Sequence, residues 1–358
     1  EAPDFDAAPI IGQRLSLLGP EFQGPRTSRV NLGISRLFAD RTAVMISGVY
    51  RYTDHLARRH DLNLNLTPNT LDQYGRPIYG QLVQQGSLLQ VQPGTNRRFQ
   101  DFGLVSALDA DGVSNYWAGT VAVERHAGQW LDLTASYTFS WTEDNWLSGR
   151  AGGPPVELTP FPDSLNQRDW TKGTSDFDRP HNVVVGAQFR LPLGALSSRV
   201  AAYYRYSSGT PFTPGFRDGV DVNGDGSDRN DPAYVDGALA GMDDLLGAWD
   251  CLAGQVGRFA QRNSCRGPAL HRLDVRFALG LYALFGHPLE IVVDALNLLD
   301  TQIGEPDRAL YLIDGAGSLQ TNPDGTIDVP LQVNRHFGKP LVRNQQGRSL
   351  RFGIRMGI

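Results

Sequence analysis

The chain has 358 residues, 41% of them hydrophobic, with 38 acidic and 33 basic side chains, a formal charge of −5 and a mean hydropathy of −0.30. This mild acidity, spread without any basic stripe, speaks against nucleic acid as a partner. No window reaches the roughly eighteen continuous apolar residues of a membrane helix, so the one spanning structure open to the chain is a closed β-barrel, which exposes oil on alternate residues only.

No charged and apolar leader precedes Glu1, so a signal peptide has been removed or the chain begins downstream of one. Residues 1–25 read as the tail of an extracellular loop, and residues 26–358 as barrel. The first alternating segments are Val30, Leu32 and Ile34, then Val44, Ile46, Gly48, Tyr50 and Tyr52. Trp117, Gly119, Val121 and Val123 follow, opposite Thr120 and Glu124. The cleanest copy sets Leu131, Leu133, Ala135, Tyr137, Phe139 and Trp141 against Asp132, Thr134, Ser136, Thr138 and Ser140. Next come Val183, Val185, Ala187, Phe189 and Leu191 against Asn182, Gln188 and Arg190, and Val200, Ala202, Tyr204 and Tyr206 against Arg199 and Arg205. Leu273, Val275, Phe277, Leu279 and Leu281 oppose Arg272, Asp274, Arg276, Ala278 and Gly280; Leu289, Ile291, Val293 and Ala295 oppose Glu290 and Asp294. The carboxyl terminus sets Leu350, Phe352, Ile354, Met356 and Ile358 against Arg351, Gly353 and Arg355.

A strand points successive side chains to opposite faces, so each segment has one greasy face and one wet face. About nine such strands of some 9–12 residues have the length a tilted strand needs to cross a bilayer. Their connections alternate between short and long. Short turns lie at Phe38-Ala39-Asp40-Arg41, at His126-Ala127-Gly128-Gln129, between Leu191 and Ser197, and at Phe285-Gly286-His287-Pro288. Long stretches rich in Gly, Pro, Asn and Asp run over about 54–114, 142–180, 207–269 and 299–347. That layout is an all-β transmembrane antiparallel barrel, integral to the bacterial outer membrane and its lipid, with short periplasmic turns and long extracellular loops. Tyr116 with Trp117, Tyr137 with Phe139 and Trp141, Tyr282 and Phe285 lie near strand ends, as girdle aromatics do, the alternative being the ordinary β-propensity of Tyr and Trp.

The loop 207–269 carries two further signals. Asp221-Val222-Asn223-Gly224-Asp225-Gly226 reproduces the first half of a calcium loop, but position twelve is Pro232, so Asp228 or Asp231 would have to close the shell. Asp221, Asn223, Asp225 and Asp228 are therefore candidate Ca2+ ligands, against the alternative of a solvated Asx-rich turn. Cys251 and Cys265, the two cysteines of the chain, are expected to form a disulfide in an oxidising compartment. No other cofactor is indicated, and no nucleophile elbow, zinc-hydrolase or phosphate-loop motif is present, so the chain reads as a non-enzyme.

The charged residues Arg190, Arg199, Arg205, Arg272, Asp274, Arg276, Glu290, Asp294, Arg351 and Arg355 all fall on the wet faces. They would guide an anionic substrate or grip a plug, or form a mixed-charge lumen wall paired with itself; the presence of both signs favours the second.

Five segments resemble the carboxyl-terminal barrel half of TonB-dependent outer-membrane receptors, in particular the Oar-like branch. They are Ser136-Tyr137-Thr138-Phe139-Ser140 with Asp144-Asn145; Asp178-Arg179-Pro180-His181-Asn182; and Ser207-Ser208-Gly209-Thr210-Pro211-Phe212 leading into Asp221-Val222-Asn223-Gly224-Asp225-Gly226. The other two are Arg262-Asn263-Ser264-Cys265-Arg266-Gly267-Pro268 and Asp294-Ala295-Leu296-Asn297-Leu298-Leu299. The resemblance implies a 22-stranded barrel closed by an amino-terminal plug and energised by the TonB machinery, of which this chain supplies roughly the last nine strands. The plug and earlier strands are then expected on the same gene or a companion chain. Such barrels finish on an aromatic residue, whereas Ile358 stands last here. The function implied is energised uptake of an unspecified substrate, with a structural or surface-interaction barrel as the alternative and a secreted all-β binding protein as a third reading.

Overall fold

The computed structural model describes residues 13–145, 172–193, 196–228, 230–284, 287–301, 304–341 and 347–356. Among these residues, eleven strands form one sheet, and nine of them lie edge to edge in chain order, antiparallel throughout. These wall strands, first to ninth, are Arg26–Leu37, Thr42–Asp61, Phe102–Ala127, Leu131–Asp144, His181–Leu193, Leu196–Ser207, Leu270–Leu284, His287–Leu296 and Ser349–Met356. Each contains one of the nine segments that the alternation singled out.

The register joins those segments into two continuous faces. Tyr50 stands opposite Trp117 and Trp117 opposite Trp141. Tyr137 meets Val183, Val183 meets Tyr206, and Tyr206 meets His271. Phe277 faces Val293, which faces Phe352. A slip of one residue at any seam would turn a whole strand's apolar set to the wrong side, and no seam between the wall strands carries such a slip across the apolar segments. The apolar face is also bare: Leu32 is 74% exposed, Phe352 and Ile354 76% each. In water a sheet-wide patch of this kind would drive aggregation; against lipid tails it has no such cost.

The wall leaves the first loop range shorter than expected. The second and third wall strands stay paired beyond Thr53 and Ser114, through a register shift around His55 and Leu56, up to Asp61 opposite Ser106. At about 3.3 Å per residue these two strands outrun the roughly 25 Å apolar band of a barrel, so their upper halves form a ribbon standing above the membrane. Gln13–Leu18 pairs in parallel with that ribbon, along Val105 to Leu108. The expectation of a loop over 54–114, and of a plain loop tail over 1–25, is corrected accordingly: the bulge broke the alternation, and a ribbon in water has no greasy face to betray it. Residues 1–12, the larger part of the predicted loop 142–180, the turn at Phe285-Gly286 and Ile358 lie outside the described residues.

The dry core is in the loops. Its buried members, among them Leu89, Phe212, Phe216, Met242, Leu310 and Phe337, all come from residues 62–101, 208–269 and 304–341, and none from the lipid-facing rows of the wall. Two short helices, α1 (Met242–Ala248) and α2 (Asp250–Ala253), place Met242, Leu245 and Leu252 in it. Trp249 packs edge-on with Phe212 and Phe337, whose own rings are tilted to each other, with centroids 5.2–6.0 Å apart. The long loops thus make one packed cap over one end of the wall.

Candidate functional site

The site has two parts, a charged wall face and the cap above it. The ten charged residues predicted for the wet face share that face in the register. Arg276 lies opposite Asp294 and donates to its two carboxylate oxygens through Nε and Nη2, at 2.6 and 2.9 Å, and Asp294 lies opposite Arg351. Glu290 takes Arg199 from one side and Arg355, at 3.3 Å, from the other. Arg190 reaches Asp132 at 2.6 Å, and Arg272 reaches Asp274 at 3.0 Å. Arg205 stands opposite Arg272 in the register. Most of these side chains are half exposed, so the pairs order the face without adding much stability. Tyr116 also belongs to this wet face, under Arg51, and is no girdle residue.

The girdle lies on the other face, near the cap. Tyr50 packs against Trp117 with tilted rings, centroids 4.3 Å apart; the Tyr137 hydroxyl meets His181 Nδ1 at 2.8 Å, and that of Tyr204 meets His271 Nδ1 at 3.0 Å. At the opposite rim, Trp130 is 56% exposed in a turn, an aromatic that strand alternation could not single out.

The cap is latched to the rim by residues of the segments that carried the resemblance. Arg262 donates to the backbone oxygen of Asp144 and, at 2.7 Å, to its carboxylate; both side chains are buried. Asn263 donates to Thr174 O and Asp176 Oδ1, each at 2.7 Å. Asp178 accepts from the Thr142 amide at 2.7 Å and pairs with Arg266. Asp274 accepts from the Asn297 amide at 2.8 Å. These short polar motifs fix where each loop leaves its strand.

Inside the cap, Arg76 is 1% exposed, against Asp72 and Asp231 and over the rings of Phe216 and Phe259 at 5.5 and 4.9 Å. Tyr74 donates to Asp236 at 2.9 Å and stacks on Tyr234; burial, then this bond, pushes its hydroxyl pKa up. The disulfide Cys251–Cys265 ties α2 to Cys265–Arg266, which pairs with Pro211–Phe212. Arg76, Tyr74 and Arg262 carried no signal in the alternation; their roles arise only where loops meet.

The acidic motif is buried in the cap. Asp221 accepts from the amides of Gly224 and Gly226 at 2.7 and 2.8 Å, Asn223 from that of Asp225, and Asp225 from that of Ser227, both at 2.8 Å. Gly224, at φ +71°, lies against the Tyr79 carbonyl, where any side chain would collide. Tyr79 in turn donates to Asn223 O at 2.7 Å, joining the 62–101 and 208–269 loops. Burial raises the carboxyl pKa of Asp221, with repulsion from Asp225 and Asp231 added; burial likewise raises that of Asp225. The structure brings Asp221, Asn223 and Asp225 together. Asp228 is turned instead onto the Gly219 amide, and so does not complete the expected set.

A two-faced antiparallel wall, greasy outside and polar within, with short turns at one end and a loop cap at the other, defines an outer-membrane β-barrel wall. Residues 2–336 match the family model for the outer membrane beta barrel domain, and the chain belongs to that family. It is an integral protein of the outer membrane. Among solved structures it is similar to the outer membrane transporter YddB from Escherichia coli, at 10% identity and a TM-score of 0.46, over 96% of this chain and 34% of that one. The chain therefore spans about a third of that transporter's length. No curated protein matches it.

Proposed function

We propose that the chain forms the carboxyl-terminal part of the barrel of a TonB-dependent outer-membrane receptor, which takes up a substrate captured by its extracellular loops. The observation that carries this reading is the packed cap over one end of the wall, opposite an end whose turns at 38–41 and 128–130 are minimal. A cap of that size is a binding surface held at a mouth. Beneath it, the polar face with both signs of charge suits a wet interior that holds a polar plug. Among the described residues, the first and ninth wall strands each pair on one side only. Within lipid their free edges need partners, and further strands with a plug, on the same gene or a companion chain, supply them; the TonB machinery acts through that part.

A structural or surface-interaction barrel without transport is the second reading, and the cap's own hydrophobic core favours it equally, since a self-supporting loop domain is a ready scaffold. Conductance in planar bilayers separates the two. The complete protein is expected to be closed and to conduct once its plug is deleted, and a TonB periplasmic domain is expected to co-purify with it. A complete protein that conducts nothing with or without its amino-terminal domain, and captures no TonB, would remove the transport reading.

A further inference from the structure

The buried carboxylates of the cap lack something. Asp221 and Asp225 are 8% and 2% exposed. Among the described residues, neither forms an ion pair with Arg, Lys or His, whereas their neighbour Asp231 has Arg76. Their hydrogen bonds come from backbone amides and from Asn230 Nδ2, at 2.7 Å from Asp225 Oδ2. Uncompensated carboxylates in a dry site are costly to hold. A second observation concerns Asn230, which is 1% exposed: its Nδ2 donates to Asp225 and, among the described residues, its Oδ1 has no hydrogen-bond partner. Every donor at this point is an oxygen, which suits a hard cation and not zinc or copper.

We infer that the cap binds one Ca2+ through the side-chain oxygens of Asp221, Asn223, Asp225 and Asn230. Asp231 is taken by Arg76 and the Val222 amide, and Asp228 by the Gly219 amide. Calcium accepts such mixed shells of carboxylate and carbonyl oxygen, completing them with backbone oxygen and water. All four ligands come from the 208–269 loop, so the ion would stiffen the turn whose backbone oxygens at Asn223 and Gly224 accept from Tyr79 and Asn96 of the 62–101 loop.

Equilibrium dialysis of the full-length protein in detergent against radioactive Ca2+ tests this. One saturable ion per chain is expected, with a Kd of about 10⁻⁴–10⁻³ M, the range of extracellular calcium modules. Asp225→Asn and Asn230→Leu should each weaken binding at least ~tenfold, and Asp228→Asn should leave it within ~twofold. Absence of saturable binding to the wild type, binding by Asp225→Asn or Asn230→Leu equal to that of the wild type, or a loss in Asp228→Asn as large as in Asp225→Asn would overturn the assignment. Should a variant fail to fold, tryptic digestion of the wild type decides: protection of the 208–269 loop by Ca2+ over EGTA supports the site, and digestion unchanged by Ca2+ overturns it.

Discussion

Arg76 shows how a single side chain can organise a cap made of separate loops. It draws Asp72 from its own hairpin and Asp231 from the 208–269 loop, and two aromatic rings close over it. Arg76→Ala leaves two carboxylates buried without their cation, and such broken pairs cost about 3–5 kcal/mol. The cap of this variant should be cut by protease at a temperature where the wild type resists, while the wall still shows heat-modifiable migration. At Cys251 and Cys265 the term is the entropy of the free chain. Closing a loop of about fifteen residues contributes on the order of 3 kcal/mol in the chain-entropy model. Cys251→Ser with Cys265→Ser should therefore shift the urea midpoint for cap proteolysis downward, as should reduction of the wild type with dithiothreitol. The two cysteines could be paired from the sequence. Arg76 could not, because nothing in the residues around it specifies that Asp231, more than 150 positions away, will stand beside it.

At the scale of the element, strand alternation becomes a quantitative asymmetry. Ile354 lies on the lipid face and Arg355 on the polar face of the ninth wall strand, in register with Ile291 and Glu290. Ile354→Arg puts a guanidinium into the apolar band and should destabilise the folded wall by about 2–4 kcal/mol if it lies near the midplane. Arg355→Gln removes one exposed partner of Glu290 and should cost less than about 1 kcal/mol. Urea titration of folding into liposomes measures both, and equal costs for the pair would remove the face assignment. The same asymmetry explains which elements were legible. All nine wall strands announced themselves because lipid demands an apolar residue at every second position. The ribbon above the rim, with Arg58 bound to Asp111 and Arg97 to Asp61, faces water and polar neighbours, and it carries a bulge. No solvent imposed a period on it, so it read as loop.

For the whole molecule the consequence is sidedness. Asp40 sits in a short turn and Asp324 at an exposed loop tip on the opposite side of the wall. In intact cells, a cysteine placed at Asp324 should react with a membrane-impermeant maleimide, and one placed at Asp40 should react only after the outer membrane is permeabilised. Labelling at both sites in intact cells would contradict the topology.

The sequence by itself determined the two faces, the number of wall strands and the rhythm of short and long connections, because each follows from a local rule: alternate side chains meet alternate solvents, and four-residue turns can only join neighbours. Tertiary structure alone decided what the loops became. Their core, the Arg76 centre, the Arg262 and Asp178 latches and the buried Asp221 and Asp225 depend on contacts between segments far apart in the chain. The residues that make them show no period and no fixed spacing. Asp228 illustrates the difference: by position it belonged among the calcium ligands, but the folded loop gives its carboxylate to the Gly219 amide, while Asn230, outside the motif, sets its Nδ2 against Asp225.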